Sequence, residues 1–437
     1  VNFAPHTEDE IVEMLSAIGA TSLDELFDQI PVDVRLQKPL DIADGISEME
    51  IVADLRAHSV KNRDLDELIC FAGGGAYDHY IPSLVWALAG RSEFYTSYTP
   101  YQPELSQGIL QVLFEFQSLI CELTGLEVSN ASLYDGATAL VEAVHMAVGA
   151  GRTRVLVSDG VDPRMVDTLR SYGRGEGFRL EVYAGSHPDV TPDVACVVVA
   201  HPNVYGVLEP VREHFGAAHD GGARAIQVFD PMSLGVLAPP GELGADIAVA
   251  EGQPLGNFLN YGGPYLGLIA ARMDDVRRMP GRIVGETVDV EGTPGYVLTL
   301  QAREQHIRRE KANSNICTNQ TLMAIAATIY LGWLGPSGLQ ELGHQCSSRA
   351  AYAAAQLTSI PGVTLALPDK PFFKEFALRL PRDPRGVIDA LVERGFLAGV
   401  PMALSDEEVL LVAVTERRTR SEIDAFAAAM QDALVGP

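Results

Sequence analysis

"VACVVVAHPNVYGVLEP", residues 194–210, opens with seven apolar residues and ends in polar and turn-forming ones. An apolar run of this kind, without alternation, is what a strand buried on both faces of a parallel sheet requires. His201, Asn203 and Tyr205 then fall just past the strand's carboxyl end, where open α/β sheets bind ligands.

The pattern repeats outward from that strand. "RVLVS" is followed by a helical stretch near 162–172 and then by "RLEVYAG"; "ARAIQVFDP", "ADIAVAEG" and "PYLGLIAAR" complete the series. Strands alternating with helices predict a doubly wound α/β domain with a parallel sheet, spanning residues 104–319. At its start Leu105, Ile109, Val112, Phe116, Leu119 and Leu123 recur at helical spacing over 104–124, and Gly125 is placed to cap them. A second helix is expected from Gly136 to Val148. Residues 1–103 read as a helical arm in which Thr7/Glu10, Ser22/Glu25 and Ser47/Glu50 match capping boxes. Residues 320–437 read as a small α+β domain: a helix over 320–357, then "VTLALP", "EFALRLP" and "EVLLVAV" interleaved with helices near 384–394 and 420–434.

A chain of 437 residues carries about two to three domains. Its formal charge of −26 argues against nucleic acid and anionic membranes as partners, because both need a basic surface. The five cysteines, Cys70, Cys121, Cys196, Cys317 and Cys346, form no Cys-x-x-Cys pair, so neither a zinc site nor a disulfide framework is expected. No apolar run approaches the roughly 18–20 residues of a membrane span and no signal-peptide pattern is evident, so the cytoplasm is the expected compartment.

Three segments of the large domain stand at binding-loop positions. "SLYDGAT" (132–138) leads into a helix, where Ser132 and Thr138 could offer hydroxyls to a phosphate, or Asp135 could simply cap the helix. "AHPNVYGVLEP" and "VFDP" each end a strand, the latter at Asp230. Together they suggest the large domain of aspartate-aminotransferase-like, fold-type I enzymes that use pyridoxal phosphate (PLP). Such a site needs a helix N-terminus for the phosphate, an aspartate for the pyridine nitrogen and a lysine for covalent attachment. The lysine is missing. Lysine occurs only at positions 38, 61, 311, 370 and 374, so the whole sheet region lacks one. Past "GADIAVA", Pro254 stands near the position the lysine would take. Asp230 is then expected to be a structural relic of a pyridine-binding aspartate, with no cofactor bound by this chain.

Longer stretches carry a family resemblance. "AYDHYIPS", "SEFYTSYTPYQPELSQGILQ", "ICELTGLEVSNASLYDGATA", "GGPYLG" and "HIRREKANSNICTNQ" resemble the P-protein of the glycine cleavage system, glycine decarboxylase. Within that family they resemble subunit 1 of the split bacterial form, equivalent to the N-terminal half of the single-chain enzyme, over essentially the whole chain. The resemblance implies a reaction in which glycine condenses with PLP, loses CO2 and passes its aminomethyl group to the lipoyl arm of H-protein. It also implies that subunit 2 carries the PLP lysine, in a heterotetramer of two of each subunit, and that subunit 1 alone is inactive.

Two loops are then candidates for completing the partner's site. In residues 93–108 the prolines at 100 and 103 forbid a continuous helix, leaving a stiff loop that carries Tyr95, Tyr98, Thr99, Tyr101, Gln102 and Glu104. Its phenols could line the glycine pocket or the lipoyl channel, or could pack at the subunit interface. In residues 306–319, Arg308, Arg309 and Lys311 precede Asn315 and Thr318; this basic segment could draw in substrate or partner, or be a solvated face. Asn313 stands where the family leads us to expect a small hydroxyl residue. An alternative to the catalytic reading is a purely structural or regulatory partner that stabilises subunit 2 and docks H-protein.

Overall fold

The computed structural model describes residues 5–38, 40–95, 99–149, 151–312, 316 and 319–435. It divides into two compact units, Val1–Arg63 and Asp64–Pro437.

In the first unit, helices Glu8–Ile18 and Glu48–Ser59 open on the expected reciprocal capping boxes of Thr7 with Glu10 and Ser47 with Glu50. The third box does not form a helix start. The Glu25 carboxylate accepts from both the backbone N–H and the hydroxyl of Thr21, and Asp24–Phe27 is a single 3-10 turn. Neither α-helix buries a residue, and Val12, Ile18, Leu23, Phe27 and Val34 are exposed.

The second unit begins well before residue 104. Strand Ile69–Cys70 pairs in parallel with Phe396–Leu397, and Phe71 stacks on Phe426 with ring centres 4.1 Å apart. Residues 69–71 therefore pack against the C-terminal part of the chain, where these apolar residues find their partners.

The central sheet has seven strands: β1 Val128–Ser129, β2 Arg154–Ser158, β3 Arg179–Tyr183, β4 Val194–His201, β5 Arg224–Phe229, β6 Ile247–Glu251 and β7 Gly267–Ala271. Their order is β1-β7-β6-β5-β4-β2-β3. Strands β2 to β6 pair in parallel. Strand β7 runs antiparallel to both β6 and β1, which corrects the all-parallel expectation. The chain returns from Glu251 through residues 252–266 without a crossover helix, and parallel pairing needs such a crossover. Val194 to Val199 of β4 are essentially inaccessible, as their unbroken apolar run predicts. Helix Gln107–Thr124 ends on Gly125 at φ 65°, and helix Gly136–Ala147 begins on the Asp135 cap.

Helix Thr321–Thr358 leads into the C-terminal part; it breaks at Gly335 (φ 59°), just before Pro336, whose missing N–H and ring are the usual cause of a kink. Contrary to expectation, this helix is long and apolar enough to cross a membrane by length and composition. Half of its apolar window is buried inside the fold, and Ala324, Ile325, Ala327 and Tyr330 belong to the main core, the pattern of a core helix. Beyond it lies an antiparallel sheet in the order Thr364–Leu365, Glu375–Arg379, Glu407–Ala413, Val400–Leu404. Phe71, Leu357, Phe376, Leu410 and Phe426 form its core.

Candidate functional site

A cleft opens at the carboxyl ends of β4, β5 and β6, lined among others by Tyr77, Asn203, Asp230, Pro254, Lys374 and Glu375. Asp230 directly follows β5. Its Oδ1 accepts the Met232 N–H at 2.9 Å, which caps the turn Pro231–Gly235. Its Oδ2 lies 2.7 Å from Nζ of Lys374, a side chain only 1% exposed at the edge of strand Glu375–Arg379. The same ammonium sits 3.5 Å from the centre of the Tyr77 ring and 3.1 Å from His79 Nε2. A buried charge is tolerated only when paired and hydrogen-bonded, and Lys374 has a counter-ion, a ring face and an imidazole nitrogen. An ammonium only donates, so Nε2 accepts and the hydrogen on Nδ1 points to Glu416 Oε2 at 2.7 Å. Next door, Glu375 accepts from the Tyr77 hydroxyl and the Gly74 N–H, both at 2.7 Å. Burial nevertheless pushes its pKa up to about 7.

The second pole of the cleft is Glu251, the last residue of β6. Its Oε2 accepts the Gly136 N–H at 3.0 Å, at the N-terminus of helix Gly136–Ala147. Its Oε1 accepts from Gln253 N at 3.0 Å and Leu266 N at 3.1 Å. Burial outweighs these donors and raises this carboxyl to about 7. A side chain at Gly136 would place its Cβ 2.8 Å from the Glu251 nitrogen, so glycine is what lets strand end and helix start meet.

The hydroxyls that could have faced a phosphate are committed internally. Asp135 caps the helix through the Thr138 N–H at 2.8 Å, and the Thr138 hydroxyl bonds back to Asp135. Ser132 Oγ accepts from Asn319 Nδ2 at 2.8 Å and Gln320 N at 3.1 Å. The β4 loop is likewise self-organised: His201 Nδ1 accepts the Glu209 N–H, and Asn203 Oδ1 accepts from Tyr205 N and Val207 N. Burial holds His201 down at about 4, so it is a neutral loop-fastening imidazole.

PLP does not fit these residues. The Asp230 carboxylate is paired with Lys374 and the helix N-terminus is occupied by Glu251, in a cleft that Pro254 also lines. Asp230 thus has a present partner in this chain.

The two candidate loops meet on Arg282. Arg282 is 3% exposed; its Nη2 donates to the Tyr101 hydroxyl at 2.9 Å, and Nη1 to Asn319 Oδ1 at 3.4 Å. Its guanidinium lies 5.2 Å from the Tyr101 ring centre, and His306 packs edge-on to that ring at 6.1 Å. Tyr95 ends the short helix Ser92–Tyr95 and is 69% exposed. Thr99 is half-buried, Gln102 opens the 3-10 turn Pro103–Leu105, and Gln102 and Glu104 are exposed. Arg308, Arg309 and Lys311 are all exposed, on the short turns Gln305–Arg308 and Arg309–Lys311. Tyr98, Asn313, Asn315 and Thr318 lie outside the described residues.

Lys374, Glu251 and Arg282 were not picked out as site residues from the sequence. For Lys374 a signal existed: one of only five lysines interrupts the apolar run "PFFKEFAL".

The glycine cleavage system P-protein family model matches residues 2–430. A relative in Moorella thermoacetica, a probable glycine dehydrogenase (decarboxylating) subunit 1, is 50% identical over 99% of this chain and 100% of its own length. The crystal structure of a glycine decarboxylase (P-protein) of the glycine cleavage system in inhibitor-bound form superposes with a TM-score of 0.92 at 46% identity, covering 99% of this chain and 100% of that one. A C-DES variant with glycine covalently linked to its PLP cofactor shares the fold at a TM-score of 0.60 and 14% identity, covering 85% of this chain and all of that one. The fold is that of the fold-type I, PLP-dependent, aspartate-aminotransferase-like proteins. Within that class, the chain belongs to the glycine cleavage system P-protein family.

Proposed function

We propose that this chain is the non-lysine subunit of a glycine dehydrogenase (decarboxylating), active only with a second, lysine-bearing chain. Two of each would form the assembly. The observation that carries this reading is the cleft itself: among the described residues its only lysine, Lys374, is committed to Asp230, and Glu251 takes the helix N-terminus. The subunit 1 name of a 50% identical relative supports it. So do the apolar residues that the first unit leaves exposed, since such a surface suits a protein partner.

Bound in the partner, PLP supplies the electron sink for loss of CO2 from glycine. This chain's contribution is positional. Tyr95, Tyr98, Thr99, Tyr101, Gln102 and Glu104 would wall the partner's site, and a loop stiffened by prolines loses little entropy on docking. Arg308, Arg309 and Lys311 would attract the glycine carboxylate or lipoylated H-protein, the aminomethyl acceptor, with Asn315 and Thr318 ordering that loop. The cytoplasm is the compartment we assign, with neither nucleic acid nor membrane as partner.

One observation favours the second reading, a structural partner that stabilises subunit 2 and docks H-protein. The Tyr101 hydroxyl is already engaged by Arg282 of its own chain, as a scaffolding residue's would be. Co-expression with the lysine-bearing chain, size-exclusion and glycine–CO2 exchange decide between them. Side-chain changes in the loop should lower exchange per assembled complex if the loop enters the site, and leave it unchanged if it is scaffold.

A further inference from the structure

We propose that Lys374 and Glu251 are internal stand-ins for the two charged ends of PLP, and that with them this chain shuts its own cofactor pocket. The aspartate that would hold a pyridinium meets instead a primary ammonium, Lys374 Nζ, 2.7 Å from Asp230 Oδ2. The ring face of Tyr77 and the His79 nitrogen hold that ammonium from other sides. The helix N-terminus that would take a phosphate meets instead the Glu251 carboxylate, accepting from Gly136. Helix N-termini favour anions through their free N–H groups and dipole, and a carboxylate satisfies both. One ammonium and one carboxyl group, supplied from distant parts of the chain, thus replace the pyridinium and the phosphate.

Two features show that the arrangement is built. Lys374 is 1% exposed, and its strand neighbour Glu375 packs so tightly on the β4 loop that a Cβ at Gly206 would fall 2.0 Å from the Glu375 carbonyl oxygen. Glu251 makes three backbone contacts, to Gly136, Gln253 and Leu266, which fix the carboxylate at the helix start. The fold therefore needs no cofactor to neutralise Asp230 or to satisfy Gly136. This inference concerns the chain alone and stands or falls independently of which reaction the assembly catalyses.

The test uses the purified full chain with Glu251→Ala, Glu251→Gln, Lys374→Met and Asp230→Asn/Lys374→Met variants. Inorganic phosphate is the probe, read at constant ionic strength as a rise in Tm with phosphate concentration, since a ligand at free concentration L that binds only the folded state stabilises it by RT ln(1 + L/Kd). Wild type should show little such rise. Glu251→Ala should bind phosphate at least about tenfold more tightly than wild type, because a competing carboxylate has left the helix N-terminus. Glu251→Gln, which removes the charge and keeps the shape, should fall between them. Lys374→Met should lower Tm by stranding Asp230, and Asp230→Asn/Lys374→Met should recover part of the loss. The proposal is overturned if wild type binds phosphate as well as Glu251→Ala, or if folded Glu251 variants gain nothing. It is equally overturned if the double variant is no more stable than Lys374→Met.

Discussion

Arg282 donates to the hydroxyl of Tyr101 at 2.9 Å from beneath its ring. The same guanidinium connects the tyrosine loop to Asn319, and through it to Ser132. The two segments proposed to reach the partner's site thereby share one buried guanidinium, whose Nε has no partner among the described residues.

Tyr101→Phe should therefore destabilise this chain. The ring stays, but a buried charged donor loses its acceptor, a loss of about 1–3 kcal/mol. Tyr101 is 51% exposed, which lets water replace the hydroxyl in part and places the effect at the lower end. Denaturant unfolding measures it, and an unchanged midpoint would mean that the hydroxyl does not anchor the loop.

Tyr95→Phe and Tyr98→Phe should lower turnover while assembly survives. A hydrogen bond to a charged group is worth about 1.5–3 kcal/mol, roughly a ten- to hundredfold effect on rate. Glycine–CO2 exchange at saturating H-protein, normalised to intact complex, is the measurement. Normal turnover in both variants would make the loop scaffolding.

Neutralising Arg308, Arg309 and Lys311 together should raise the apparent KM for H-protein and flatten its dependence on salt. Exposed charges act through screened, long-range attraction, so their removal takes the salt sensitivity with it. Wild-type salt dependence in the triple variant would demote the segment to a solvated face.

Stability should depend on pH through Glu375. Burial raises its pKa from 4.5 to about 7, so between these values the folded chain holds a proton that the unfolded chain has released. Its contribution is therefore full below about 4.5 and is lost as pH rises through about 7, by up to about 3 kcal/mol. Glu375→Gln should remove this decline from the difference curve between pH 4.5 and 7. If the variant and wild type keep parallel stability curves across that range, Glu375 does not carry the effect.

Much of the large domain was legible because it depends on local pattern. An unbroken apolar run gave strand β4 its buried place, and Gly125 and Asp135 capped the helices they flank. The missing lysine was equally plain, since an absence over all of residues 62–310 needs no structure to see. What stayed hidden was pairing across distance. Lys374 and Asp230 lie far apart in the sequence, and nothing near either residue announces the other. The direction of β7 was missed for a related reason: its apolar pattern is the same whether it runs parallel or antiparallel. The Ser22/Glu25 motif misled because Thr21, one residue earlier, competes for the same carboxylate.

The central claim is that this chain works only through a lysine-bearing partner, and glycine–CO2 exchange with H-protein measures it most directly. The purified chain should give background exchange at any added PLP concentration. Mixing it with the second chain should restore exchange, in step with a complex seen by size-exclusion. Exchange above background from this chain alone, with PLP bound to one of its own lysines, would contradict the account.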